Sequence, residues 1–330
     1  MIMLRPWIVS LSLLAILAVA TRSEKVETDW PIIGVFTQPS SDSAAECGGD
    51  CLYLAASYVK FIESAGARVV PINYNADEAE IDSLFQSLNG FLFVGGGSSY
   101  PKSAQQVFDR TVEANSKGDF SPLYGICMGF QWLLLAATDG QLALDPSDGT
   151  QMDAENISLP LDFTASAKES RLMQHAPGNV YKIFAERNVT MNNHHYGIFT
   201  EHFDNTPELS NFYTKISTNK DREGTEFVST IEGSKYPMIV GSQWHPEKTI
   251  FEWQEVDGVP YEAINHSPDS IHANRYMADY LVQMARNSNH RFADPAVEQA
   301  SLIYNYAPVK TTGTFVQKYY FAKNFKSFNE

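Results

Sequence analysis

Cysteine is scarce in this chain: 330 residues carry only Cys47, Cys51 and Cys127. That excludes a disulfide framework as the source of stability. Cys47 and Cys51 are close enough to pair, although so short a loop strains disulfide geometry, so a bridge and two free thiols both stay open. Either way Cys127 is the odd thiol, and an odd thiol flags reactivity. Basic charge is also short. Lys and Arg number 24 against 39 Asp and Glu, giving a net charge of −15 and a pI of about 4.9. No basic stripe appears, which excludes the nucleic-acid binders. An acidic surface suits an acidic compartment, where partial protonation relieves self-repulsion. An anionic substrate would then need a local pocket of basic or amide groups. Beyond residue 20 no run is apolar enough to span a bilayer. Internal repeats, low-complexity tracts and linkers are absent too, which favours one domain over residues 29–330.

What is present begins with a targeting segment. Arg5 precedes an apolar run from Trp7 to Ala20 that ends in Ala18-Val19-Ala20. Residues 1–20 read as a secretory signal peptide, too short for a membrane span. Three sequons fit that route and mark Asn156, Asn188 and Asn265 for glycosylation.

The first half alternates strand and helix patterns. Ile32–Phe36, Arg68–Ile72, Phe91–Val94 and Leu123–Ile126 read as strands. Apolar residues at helical spacing predict helices over Tyr53–Ala65, after Asp77-x-x-Glu80, around Val107–Val112 and over Phe130–Ala137. Such alternation predicts a parallel sheet covered on both faces, with ligands at the carboxyl ends of its strands. The second half is less regular. Glu226–Ile231 and Met238–Gln243 read as strands, Ile271–Arg286 as a helix, and Phe315–Phe321 as a final edge strand.

The sharpest local pattern is Gly125-Ile126-Cys127-Met128-Gly129, a Gly-x-Cys-x-Gly between a strand and a helix. It is the thiol counterpart of the nucleophile elbow: a tight turn points the sulfur outward, and flanking glycines avoid clashes. The following helix supplies free N–H groups and a positive dipole end, which favour a thiolate. The Met128 N–H could give half of an oxyanion hole, and the Gly95-Gly96-Gly97 loop after the third strand the other half. The second pattern is Gln243-Trp244-His245-Pro246-Glu247. In extended backbone His245 and Glu247 share a face, so Glu247 can hold the imidazole while its other nitrogen serves Cys127.

Together these segments resemble the class I glutamine amidotransferase signature, and within that superfamily the gamma-glutamyl hydrolases, also called folate conjugases. The resemblance covers nearly all of the mature chain. It is densest at Pro31–Gly34, Ala55–Lys60, Glu63–Pro71 and Tyr236–Lys248. It implies a flavodoxin-like three-layer α/β/α sandwich with a mostly parallel central sheet, no metal, no cofactor, a homodimer, and a lysosomal or secreted location. It implies removal of gamma-linked glutamates from folyl and antifolyl polyglutamates. By position, Cys127 would be the nucleophile, His245 general base and acid, and Glu247 the orienting carboxylate. Gly96 and Met128 would stabilise the oxyanion. A histidine important in the family matches His194, with His195 as the other member of a doublet. Where some relatives carry an acid, this chain has Gln131. Two other readings use the same fold: a glutaminase that hands ammonia to a synthase, and an inactive binding protein.

Overall fold

The computed structural model describes residues 28–40 and 50–328. The expected signal peptide at 1–20 and Cys47 lie outside them. Cys51 is disulfide-bonded and Cys127 is free. No helix among the described residues is long and apolar enough to cross a membrane.

The central sheet has eight strands, numbered here in chain order: β1 Ile32–Phe36, β2 Arg68–Ile72, β3 Gly90–Phe93, β4 Leu123–Ile126, β5 Asp162–Phe163, β6 Tyr213–Lys220, β7 Glu226–Gly233 and β8 Ile239–Ser242. They lie in the order β2-β1-β3-β4-β8-β7-β6-β5. Contacts from β2 to β8 are parallel, and β7, β6 and β5 extend the sheet antiparallel. Among the described residues the helices of nine or more residues are α1 Ala56–Ser64, α2 Glu78–Ser87, α3 Lys102–Ser116, α4 Met128–Ala137 and α5 Pro268–Ala285.

The strands explain the layering. Alternate side chains of a strand point to opposite faces. Ile33, Val35, Leu92, Val94, Tyr124 and Ile126 pack with α1 and α5. Ile32, Phe36, Phe91, Phe93 and Leu123 pack with α2, α3 and α4. Both sheet faces are therefore apolar and covered, and the molecule is a flavodoxin-like three-layer α/β/α sandwich. Each fully buried Leu, Ile or Phe contributes about 1.5–3 kcal/mol. On the α4 side, Phe36, Phe93 and Trp132 meet edge to face at 5.0–6.2 Å, the preferred geometry for aromatic pairs.

Several boundaries differ from the sequence reading. The segment Tyr53–Ala65 is not one helix: Cys51–Ala55 is a strand and the helix begins at Ala56. Cys51–Ala55 pairs antiparallel with Gln317–Ala322. That terminal strand is therefore interior to a second, four-stranded sheet rather than an edge of the first. Asp77 caps α2 through the Glu80 N–H, but the Glu80 carboxylate turns instead to Ser327 N and Lys326, so the capping box is half formed. Helix α5 starts three residues before Ile271, where Ser267 accepts from Ser270 N and Pro268 fits the first turn. An antiparallel pair, Ala154–Leu159 with Thr190–His194, had no clear signal in the sequence.

Candidate active site

Cys127 leaves the end of β4 and immediately starts α4. Its φ of 54° and ψ of −107° put a non-glycine residue in a strained region, a conformation that persists only where the surroundings enforce it. The two glycines of the motif do so by close approach. A Cβ on Gly129 would sit 2.1 Å from the Phe93 carbonyl oxygen, and one on Gly125 would sit 2.4 Å from that of Gly129. Helix α4 is thus seated directly on β3 and β4.

Strand β8 explains how residues 118 positions apart meet (245 − 127 = 118). It runs parallel beside β4, with Ser242 opposite Ile126. The Cys127 N–H donates to the Ser242 carbonyl at 2.8 Å. The chain then continues through Trp244, buried and anchored by its Nε1–H to Thr230 Oγ1 at 3.1 Å, to His245, whose N–H donates to the Met191 carbonyl at 2.8 Å. The imidazole is hydrogen-bonded to Cys127 on one side. On the other, Nδ1 lies 2.7 Å from Glu247 Oε1. A carboxylate only accepts, so it holds Nδ1–H and turns Nε2 to the sulfur.

Burial alone would lower the His245 pKa. The Glu247 carboxylate and Cys127, both in contact, outweigh it and raise the value from 6.5 to about 10. The imidazolium therefore persists through acidic and neutral pH. Its stabilising contacts are complete below 6.5 and are lost as pH rises through about 10.

His194 ends the strand Thr190–His194, buried beside His245. Burial, then the neighbouring His245 charge, push its pKa down to about 3. It is a neutral hydrogen-bonding ring, with Nδ1 at 3.1 Å from the Tyr196 carbonyl. His195 points outward to Glu155 at 3.3 Å. Gln131, one turn into α4, donates to the Tyr196 carbonyl at 2.7 Å.

The glycine loop leaves β3 on the other side of β4. The Gly95 N–H already donates to Tyr58 Oη at 2.9 Å. Gly96 and Gly97 are exposed. A Cβ on Gly96 would lie 3.2 Å from Met128 Cε, so Gly96 and Met128 adjoin. Met128 opens α4, where a backbone N–H has no intrahelical acceptor.

Sequence reasoning missed a second ring of polar groups. The Asn193 carbonyl lies 4.0 Å from Cys127 Sγ. The Asn193 Nδ2 donates to Glu262 Oε1 at 2.8 Å, and that oxygen also takes the buried Lys248 ammonium. Glu252 lies nearby, and burial pushes its pKa up to about 7. Lys248 directly follows the Trp-His-Pro-Glu segment, but no local pattern announces its partner fourteen residues on. The sequons lie on the surface: Asn156 and Asn188 are exposed and Asn265 half-buried.

The family model described as Peptidase C26 matches residues 31–247. Gamma-glutamyl hydrolase B of Dictyostelium discoideum is 41% identical over 287 residues, 85% of this chain and 79% of that protein. The gamma-glutamyl hydrolases of Mus musculus and Homo sapiens are 39% and 36% identical, each match covering 88% of this chain and 89% of the relative.

Proposed function

Because the chain belongs to the Peptidase C26 family, we propose that it is a cysteine-dependent gamma-glutamyl hydrolase acting through a thioester. The observation that carries this is the contact series Cys127–His245–Glu247 at the carboxyl ends of two adjacent parallel strands. The Cys127 thiolate attacks the γ-carbonyl carbon, and the negative charge on its oxygen faces the Gly96 and Met128 amides. As the C–N bond breaks, the His245 imidazolium gives its proton to the departing amine. The ring, now neutral, takes a proton from water, whose oxygen attacks the thioester. The C–S bond breaks and the sulfur leaves as thiolate. Glu247 steadies the imidazolium throughout, and neutral His194 supports the substrate beside it. No group beyond the protein and water is required.

The same reading extends to folyl and antifolyl polyglutamates as substrates, to a homodimer, and to passage through the secretory route to lysosome or exterior. The apolar run at 7–20 and the surface positions of Asn156 and Asn188 support that route.

The test is product analysis by mass after incubation with a γ-linked glutamyl oligomer and, separately, with free glutamine. Release of glutamate or of short γ-linked glutamyl peptides from the oligomer is expected. Ammonia from glutamine with an untouched oligomer would favour the glutaminase, and an inert chain the binding protein.

Glu247→Gln is expected to lower kcat about 10²-fold or more. With the carboxylate gone, burial lowers the imidazole pKa, so the alkaline fall of kcat/KM should move to lower pH. A pH–rate profile superimposable on the wild type would contradict the assigned role.

A further inference from the structure

The strand Thr190–His194 brings three groups to the reacting atoms. The Met191 carbonyl takes the His245 N–H at 2.8 Å, the Asn193 carbonyl lies 4.0 Å from Cys127 Sγ, and the His194 ring stands beside His245. Among the described residues this strand pairs with one neighbour only, Ala154–Leu159. The pairing breaks where it matters most. Ala154 faces His194 and Ile157 faces Asn192, so Asn193 stands opposite a bulge, where the ladder is interrupted. Asn156, inside the bulge, has a φ of 50°.

Side chains replace the missing ladder bonds. Asn193 Oδ1 accepts the Asn156 N–H at 3.1 Å, and Asn193 Nδ2 donates to Glu262 Oε1 at 2.8 Å. Asn156 Oδ1 accepts the Ala263 N–H at 2.6 Å, and Ser158 Oγ donates to the Ala263 carbonyl at 2.7 Å. The segment Glu262-Ala263 is thereby tied to both strands. The Glu262 oxygen that holds Asn193 also takes the buried Lys248 ammonium. A buried ammonium persists only when paired. Lys248 directly follows Glu247, so the series Lys248–Glu262–Asn193 runs from the orienting carboxylate back to the sulfur.

A carbonyl oxygen only accepts. It is no partner for a thiolate, but it suits an N–H. In a trans amide the C=O and N–H point in opposite directions. The Gly96 loop leaves β3, on one side of β4, whereas the strand Thr190–His194 holds His245 on the β8 side. An amide whose oxygen faces Gly96 and Met128 therefore turns its N–H toward Asn193. We propose that the Asn193 main-chain carbonyl accepts the N–H of the scissile γ-amide, and that Lys248 and Glu262 are the positioning residues that hold it there. This rests on the γ-glutamyl reading above and adds to it the group that orients the bond to be cut.

The experiment compares γ-glutamyl-glutamate with its depsipeptide, in which an ester oxygen replaces the scissile N–H. An ester has no N–H to give, so a misplaced acceptor should penalise the amide alone. In Asn193→Ala the amide-to-ester ratio of kcat/KM is expected to fall about tenfold, the worth of one hydrogen bond. Two double variants test the positioning pair, and both remove the buried charges together. Lys248→Met with Glu262→Gln keeps an acceptor for Asn193 and should keep the wild-type ratio. Lys248→Met with Glu262→Leu lacks that acceptor and should show the same tenfold fall. A purely structural role would lower both rates together and leave the ratio alone. An unchanged ratio in Asn193→Ala, or the same ratio in the two doubles, overturns the proposal. Asn193→Ala leaves the ion pair intact and decides the matter should a double fail to fold. If the wild-type protein cleaves neither substrate, the γ-glutamyl reading itself fails.

Discussion

Replacing Cys127 by alanine is expected to reduce hydrolysis of a γ-linked glutamyl substrate at least about 10⁴-fold. The size follows from what else the site offers. Tyr58 Oη is occupied by the Gly95 N–H, and burial, then the charges of Glu247 and Cys127, hold that phenol well above its ordinary pKa. Ser242 Oγ donates to the Trp244 carbonyl and bonds Tyr124 Oη. Neither can replace the sulfur as nucleophile. Serine at position 127 should be nearly as slow. A hydroxyl is a far weaker acid than a thiol and does not form the thiolate that the His245 imidazolium faces. Alanine adopts the same backbone, so stability should change by less than about 1 kcal/mol. An unchanged melting temperature with lost turnover, followed by mass analysis of products, is the supporting result. Turnover retained in Cys127→Ala would end the mechanism.

The readable parts of this molecule were those where one short segment carries the whole physical requirement. Gly125-x-Cys127-x-Gly129 needs only its own turn and the carbonyls it rests on, so the elbow was legible. His245 and Glu247 meet as their two-residue spacing suggested, but through a turn at Pro246 and Glu247, with Glu247 in helical backbone, rather than through the extended backbone that the sequence led one to expect. The parallel core was legible because strand and helix periods alternate cleanly through residue 137. Other features depend on partners remote in sequence. Cys51–Ala55 is a strand because Gln317–Ala322 lies beside it, although Ala55, Tyr58, Val59, Ile62 and Ala65 continue a helical stripe through its end. Tertiary pairing overrode local pattern there. The alternation of buried Leu52 and Leu54 around half-buried Tyr53 was the available signal. Gly95 could not be told from Gly96 by sequence, because the distinction is made by Tyr58, thirty-seven positions away. The Asn193–Glu262–Lys248 ring joins three separate segments, and each of its residues taken alone resembles an ordinary surface group.

The second large effect concerns shape alone. Gly129→Ala is expected to cost about 3 kcal/mol and to lower activity about 10²-fold or more, although it removes no catalytic side chain. The new methyl would lie 2.1 Å from the Phe93 oxygen and 2.5 Å from its carbonyl carbon. Those atoms belong to β3, in the middle of the sheet between β1 and β4, so they cannot yield as a flexible side chain would. The first turn of α4 must move away instead. It carries the Met128 amide and fixes Cys127, so the sulfur would shift from His245 by a distance comparable to the overlap. A displacement of about 1 Å at reacting atoms can cost about 10²-fold in rate. Gly97→Ala is the matched control, since its Cβ would meet nothing within 4 Å, and stability should stay within about 0.5 kcal/mol. Thermal melting should place the Gly129 variant about 6–10 °C below the wild type, with Gly97→Ala close to it. A Gly129→Ala protein that melts normally and turns over substrate would show that the elbow tolerates separation from the sheet, and the case for an enforced Cys127 geometry would fall with it.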